Sequence, residues 1–534
     1  MSDRQADIVS RLTAVLGNEH VLTERSDREF YAMDVYSRGE TPMAVVRPGT
    51  IPELQSIVRI AAEYNVAIVP RGGSASYTNA HTPSTPQSLV IDTLRLNRIV
   101  ELNEQDMYIT VEPGVTWHDL WQLLKARGLR TSFWGPFSGI AATVGGSTSQ
   151  NSISLGSSHY GTSADTVLGF EIVLANGEIL RTGSHAAVNA KPFFRWYGPD
   201  LTGLFCGDSG ALGVKASITL RLIADPPFSG AVSFGFDSFE QMAAGMAAAA
   251  RANVSADNFG LDATLQQGQL AKVDAKEAVR VAMALARASR NPLEALVRLG
   301  KIALAGTRFL AGSPYAAHYV TEGISRSEVN DKLAVLRRAV GSWGREGPNT
   351  VPALLRTMPY VPMQFMLGPK GERWVPMHGV MPFSALNEFH ERIRRLFDAN
   401  AERMKRDRMI EGAMFATIST HAFLYEPVFY WQDELTDFHT RYLPADFVKS
   451  LPRYPANPAG RVLVEELREE IQKIFTACGA VHFQVGKCYP YMEGRQEQAA
   501  QALRELKRQL DPSGLMNPDA LQLRSRDQES RNEA

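Results

Sequence analysis

The chain reads as an α+β protein of more than one domain, on three observations. Its 534 residues exceed what a single hydrophobic core holds. A strand, a helix and a second strand follow one another from residue 43, and from about residue 226 the composition turns alanine-rich and helical. Hydrophobic residues at 44% and charged residues at 21% are ordinary for a folded chain and exclude wholesale disorder. A net charge of −1 gives nucleic acid no electrostatic footing as a main partner. Cys206, Cys478 and Cys488 are too few and too scattered for a disulfide framework or a zinc knuckle, which fits reduced thiols in a cytoplasm. The first residues, MSDRQADIVSRLTAVLG, carry charges through an amphipathic helical pattern rather than an apolar leader, and no run of about 18 apolar residues predicts a membrane span.

In MAVVRPGTIPELQSIVRIAAEYNVAIV, Thr50 caps a helix, Pro52 sits in its first turn, and Leu54, Ile57, Val58, Ile60 and Ala61 form one apolar face between two strands. The second strand delivers VPRGGSASYTNAH, residues 69–81. Adjacent glycines let backbone N–H groups ring an anion, and Arg71 adds a positive charge. Neither G-x-x-x-x-G-K-[ST] nor G-x-G-x-x-G fits, so the usual ATP and NAD loops are excluded on spacing. Strands SLVIDT and MYITVEPG follow, then a helix from about Trp117 to Arg127. The next span, WGPFSGIAATVGGSTSQNSISLGSSHYGTSADTV, is too long and too rich in small polar residues for a solvent loop, and predicts backbone packed against a large ligand. LGFEIVLANGEILRTG reads as a hairpin turning at Asn176-Gly177.

Beyond residue 226, helices are expected over 239–252 and 276–311, then a strand at ERWVPMHGVMP and a long helix after it. The 276–311 stretch is basic and amphipathic, with Arg280, Arg287, Arg290, Arg298, Lys301 and Arg308 on one side and a break at Pro292; packing on its own core or on a second subunit is favoured over a membrane surface. GDSG at residues 207–210 resembles the nucleophile segment of trypsin-like proteases. It lacks their disulfides and all-β context and precedes an alternating strand, so Ser209 reads as part of a turn.

Four ordered stretches, VPRGGSASY, ATVGGSTSQNS with HYGTSADTVLGFEIVLANGEILRTG, YGPDLTGLFCGDSGALGVKASITLRL and LDPSGLMNP, resemble the PCMH-type FAD-binding oxidoreductases of the vanillyl-alcohol oxidase and p-cresol methylhydroxylase kind. The resemblance is dense over residues 40–225 and looser over 370–523. It implies a two-part flavin domain over 1–225, a cap or substrate domain over 226–460, a segment at 461–523 returning to the flavin site and a flexible tail at 524–534. It implies that Arg71, Gly72, Gly73, Ser74, Ala75, Ser76 and Tyr77 cradle the FAD diphosphate, with Pro70 before them. Gly145, Gly146, Ser147, Tyr160 and Gly161 would line the other side, with Pro136, Thr143, Asn151 and Val214 also at the cofactor.

On this resemblance the expected activity is hydride transfer from a small alcohol to flavin N5. A D-2-hydroxy acid is the leading substrate, as in the D-lactate dehydrogenases. A para-hydroxybenzylic alcohol is the alternative, and a non-catalytic flavin-carrying subunit is a third. The electron acceptor stays open among oxygen, cytochrome, quinone and an electron-transferring flavoprotein, and a homodimer is expected. His378 is expected to face the cap cavity as the base, on one strand face with Trp374 and Pro376, and His421 is the second candidate. Phenol-oxidising relatives place a Tyr-Arg pair near Lys487, Tyr489 and Tyr491, but Met492 follows Tyr491 here, and Thr143 stands where they carry an acid. Lys487 or Arg373 would suit a substrate carboxylate. The motif H-x-G-D-G-N-x-H of metal-dependent hydroxy-acid relatives is absent, so no metal is expected.

Overall fold

The computed structural model describes residues 3–266 and 313–523. The helices expected over 276–311 and the tail expected over 524–534 lie outside the described residues. Three sheets organise the rest. The first has the order Val21–Leu22, Ala44–Val46, Ser88–Asp92 and Ala67–Arg71, with the last three strands parallel. Ile51–Glu63 is the crossover helix between Ala44–Val46 and Ala67–Arg71. The Thr50 hydroxyl caps it by accepting from the Glu53 amide at 3.3 Å, and Leu54, Ile57, Val58, Ile60 and Ala61 are its buried face. Those residues pack with Ile8 and Leu12 of the N-terminal helix Asp3–Leu16 and with Ile68, Leu89 and Ile91 of the sheet.

The second sheet is antiparallel and is centred on Val214–Ala224, between Tyr108–Val111 and Val167–Val173. The hairpin of Val167–Val173 with Ile179–Arg181 turns at Asn176-Gly177, and Gly177 has φ 78°, as such turns require. The third sheet draws on residues 228–431 in the order Arg345–Gly347, Phe228–Phe236, Tyr315–Gly323, Asp257–Asp262, Met409–Ile418, Ala422–Trp431 and Arg373–Pro376. The segment ERWVPMHGVMP is not one strand. It pairs with Ala422–Trp431 twice, as Arg373–Pro376 and as Gly379–Met381, and is interrupted at Met377 and His378. Helices Phe239–Ala252 and Leu386–Arg406 pack on this sheet.

The last described residues return to the first sheet. Ile68 donates its amide to Leu515 at 2.8 Å, and Asn517 donates to the Ile68 carbonyl at 2.7 Å. The turn is built on Asp511, which accepts the Leu515 and Met516 amides at 2.9 and 2.8 Å and the Lys507 ammonium at 2.6 Å. Lys507 and Asp511 are both buried, and Lys507 also donates to the carbonyls of Ala211 and Met516. Replacing Asp511 with Ala leaves a buried ammonium without its counter-ion, a change that costs about 3 to 5 kcal/mol. The thermal midpoint of Asp511→Ala, followed by circular dichroism, should fall by several degrees; an unchanged midpoint would remove this anchor from the fold.

Candidate functional site

A cavity of about 1150 Å³ lies between the loops of the first two sheets and one face of the third. Pro70, Arg71, Gly72, Gly73, Ser74, Ala75, Ser76 and Tyr77 form one wall, and Pro136, Thr143, Gly145, Gly146, Ser147 and Val214 form part of the other. The two walls meet closely. A Cβ on Gly72 would stand 2.5 Å from Thr143 Oγ1, and one on Gly73 would stand 1.8 Å from the Ala141 carbonyl oxygen, so only glycine fits either position. Thr143 is the N-cap of Val144–Gln150, accepting from the Gly146 amide at 3.1 Å. The Ser147 hydroxyl accepts from Trp117 Nε1 at 2.8 Å.

Arg71 is buried. Its Nε donates to Ser74 Oγ at 2.6 Å and its Nη1 to the carbonyls of Tyr31 and Met33 at 2.7 and 3.0 Å, while Nη2 has no partner. The side chain therefore shapes the loop and keeps one donor spare. Ser74, with φ 58°, adopts a left-handed turn. Glycine-lined walls of this length, a spare guanidinium N–H and the hydroxyl-rich loops suit a long dinucleotide with two phosphates. Asn517, which the sequence did not single out, joins the walls by donating to the carbonyls of Ala80 and Ser209 at 2.7 and 2.6 Å. Lys215 lines the cavity and is paired at 2.7 Å with buried Asp208.

Three residues assigned to the cofactor by sequence stand elsewhere. Asn151 ends Val144–Gln150 in a left-handed conformation and accepts from the Ala164 amide at 3.2 Å. Tyr160 lies beside Arg130 and donates to Glu322 at 3.4 Å, and Gly161, at φ 85°, ends the short helix Ser157–Tyr160. None of the three lines the cavity.

The sheet face that closes the cavity is apolar, with Phe259, Leu261, Met414, Leu424, Val428 and Trp374. Glu426 stands within it, 9% exposed, and burial pushes its carboxyl up to about 8. The cue for it was a lone carboxylate in the otherwise apolar strand AFLYEPVFYW, facing inward by parity, which the sequence reading passed over. Behind Glu426 lies His378, whose Nε2 is 3.6 Å from the carboxylate and shares a hydrogen bond of 2.6 Å with the Tyr77 hydroxyl. Tyr77 thus links the glycine loop to the third sheet rather than serving a phosphate alone. The strand interruption at Met377 and His378 upsets the expected parity with Trp374, so His378 is fully buried and does not line the cavity. Burial holds its imidazole down to about 3, so it is neutral at pH 7.

The other expected catalytic groups are also outside the cavity lining. His421 is exposed on the turn between Met409–Ile418 and Ala422–Trp431. Lys487 donates to the Thr82 carbonyl at 2.7 Å, and burial lowers its ammonium to about 8. Arg373 is buried over the Trp431 ring, 4.0 Å from Asp433. Tyr489 accepts the His378 amide at 2.8 Å, and Tyr491 lies under Arg495. The two candidate carboxylate clamps are therefore engaged elsewhere in the protein.

The solved structure of p-cresol methylhydroxylase with substrate bound is 17% identical with a TM-score of 0.75, covering 98% of both chains; 4-ethylphenol oxidase from Gulosibacter chungangensis is 18% identical with a TM-score of 0.71, covering 99% of both. The fold is that of the PCMH-type flavoproteins. Residues 42–183 match the family model described as an FAD binding domain, and FAD is the cofactor it indicates. The glycolate oxidase subunit GlcD of Bacillus subtilis (strain 168) is 34% identical over 223 residues, covering 41% of this chain and 45% of that one. The mitochondrial D-lactate dehydrogenase [cytochrome] of Arabidopsis thaliana is 32% identical over 226 residues, 42% of this chain and 38% of the other. The match spans less than half the length of either relative.

Gly73→Val should purify colourless, because a side chain there collides with the Ala141 carbonyl and forces the two walls apart. Flavin absorbance of the purified variant tests this. A fully flavin-loaded Gly73→Val protein would remove the loop from the cofactor site.

Proposed function

We propose that the protein is an FAD-linked oxidoreductase that oxidises an apolar alcohol of the benzylic type, with Glu426 as the proton acceptor. Bound FAD supplies the hydride acceptor for the C–H bond of the carbinol carbon. The observation that carries the reading is Glu426 itself, a carboxyl placed on the wall of an apolar chamber where its proton affinity is raised toward neutral pH. Removing hydride from an alcohol leaves a carbonyl only when the hydroxyl proton is taken up, and a carboxylate in a dry chamber is a strong acceptor for it. Neutral His378 stands behind Glu426 at 3.6 Å and holds the Tyr77 hydroxyl, and Tyr77, on the cavity wall, orients the alcohol end.

A D-2-hydroxy acid fits this chamber less well. The cations that line the cavity among the described residues are Arg71 and Lys215, the first held by the glycine loop and the second paired with Asp208. A substrate carboxylate in the apolar part would lose its hydration without a counter-ion among the described residues. The proposal therefore favours the aromatic alcohol over the hydroxy acid that the GlcD and D-lactate dehydrogenase names suggest. Anaerobic mixing of the holoenzyme with 4-hydroxybenzyl alcohol, D-lactate and glycolate separates them: bleaching of the flavin by the benzylic alcohol alone is expected, and bleaching by D-lactate or glycolate alone would overturn the substrate assignment.

Glu426→Gln should slow flavin reduction by about 10²- to 10⁴-fold, the range for loss of a general base, with FAD content unchanged. The active form of Glu426 is the carboxylate. The wild-type reduction rate should therefore rise with pH up to about 8 and level off above it, and this rise should be absent in Glu426→Gln. Stopped-flow reduction from pH 6 to pH 10 measures both, and a pH-independent wild-type rate would exclude Glu426 as the base.

A further inference from the structure

His318 and Gln266 line the same cavity, and each carries a buried polar atom without a hydrogen-bond partner among the described residues, Nε2 of the histidine and Oε1 of the glutamine. His318 is fully buried on Tyr315–Gly323. Its Nδ1 shares a hydrogen bond of 2.8 Å with Ser233 Oγ, and its ring packs on Phe259 at 5.1 Å between centroids. Gln266 donates from Nε2 to the Leu261 carbonyl at 3.1 Å. Both side chains are thus held through one polar atom while a second is left unmet, and buried polar atoms are ordinarily hydrogen-bonded.

The strand register places these groups relative to Glu426. His318 pairs with Phe259, Phe259 with Ala416, and Ala416 with Leu424, which is two residues before Glu426 on the same strand. Phe259, Ala416, Leu424 and Glu426 all line the cavity, so His318 and Glu426 share one sheet face. They are three strand spacings apart, about 14 Å, and offset by about 7 Å along the strands. The wall between them is apolar. Burial holds the His318 imidazole down to about 3, so this group is neutral and brings no charge to pair with a carboxylate.

We infer that His318, oriented by Ser233, and Gln266 form a second recognition site for a neutral polar group, such as an amide, a carbonyl or a hydroxyl, at the far end of an elongated apolar substrate. This inference rests on the proposed alcohol oxidation for what happens at the Glu426 end. The ligand it describes is two-ended: a rigid or aromatic body on Phe259, Ala416 and Leu424, with one polar terminus at Glu426 and the other at His318. A substrate as small as 4-hydroxybenzyl alcohol would leave the second site unmet.

Two ketones that have no hydride to give separate recognition from turnover. The oxidised holoenzyme is titrated by calorimetry with 4-acetylbiphenyl and with 4′-acetylbiphenyl-4-carboxamide, which differ only in the distal amide. The amide should bind about tenfold more tightly, the yield of satisfying buried hydrogen-bonding atoms. His318→Leu should erase that preference and leave the affinity for 4-acetylbiphenyl within about twofold, with the visible flavin spectrum unchanged. Equal wild-type affinities, or a preference that survives in His318→Leu, would overturn the inference. A shifted flavin spectrum in His318→Leu would overturn it too, by making His318 a cofactor ligand. Should His318→Leu fail to fold, Ser233→Ala keeps the imidazole and frees it; the preference should fall to about threefold, and a full tenfold preference in that variant would count against the site. Failure of benzylic alcohols to bleach the flavin would sink the proposed oxidation and leave the amide preference standing.

Discussion

The buried pair of Lys507 and Asp511 is the constraint on which the cofactor site depends. Two full charges sit in an environment from which water is excluded, and they are tolerated because each finds more than its partner: the ammonium reaches two carbonyls, and the carboxylate two amides. The resulting turn holds Met516 beside Ile68 and aims Asn517 at the carbonyls of Ala80 and Ser209. One short phrase near the end of the described chain thereby ties the far end of the glycine loop to the turn before Val214–Ala224. The Gly72–Thr143 and Gly73–Ala141 approaches help to set the spacing of the two walls.

Once the walls are set, the third sheet decides what else the cavity accepts. Its inward face is a period-2 selection from strands that are far apart in sequence, and almost every position selected is apolar. Polar groups on such a face change character. Glu426 holds its proton more tightly, while His318, and His378 behind the face, lose theirs, chiefly through the cost of keeping a charge out of water. Proton acceptor and neutral hydrogen-bonding groups therefore arise chiefly from burial, with His482 and Arg468 adding to it at His378.

Much of the cofactor wall was legible from residues close together in the chain. Gly72 and Gly73, the Thr50 cap, the Asn176-Gly177 turn and the small residues of 143–147 act over a few positions, so their spacing already states what they do. The substrate side was not legible in the same way. His378 was expected to share a face with Trp374 because parity holds along a continuous strand, and the interruption at Met377 and His378 ends it. Lys487 and Arg373 looked available because charge is visible in sequence, whereas the Thr82 carbonyl, Asp433 and the Trp431 ring that engage them come from other parts of the chain.

The amino-acid sequence by itself determined a glycine-walled loop on an α+β frame, because backbone freedom, capping and turn chemistry are local properties of neighbouring residues. Which side chains share the chamber with the cofactor was decided by tertiary structure alone. Glu426, His318 and Gln266 meet there only because antiparallel strands from residues 257 to 431 align in one register, and the desolvation that sets the proton affinity of Glu426 and His318 exists only once that sheet closes over the cradle.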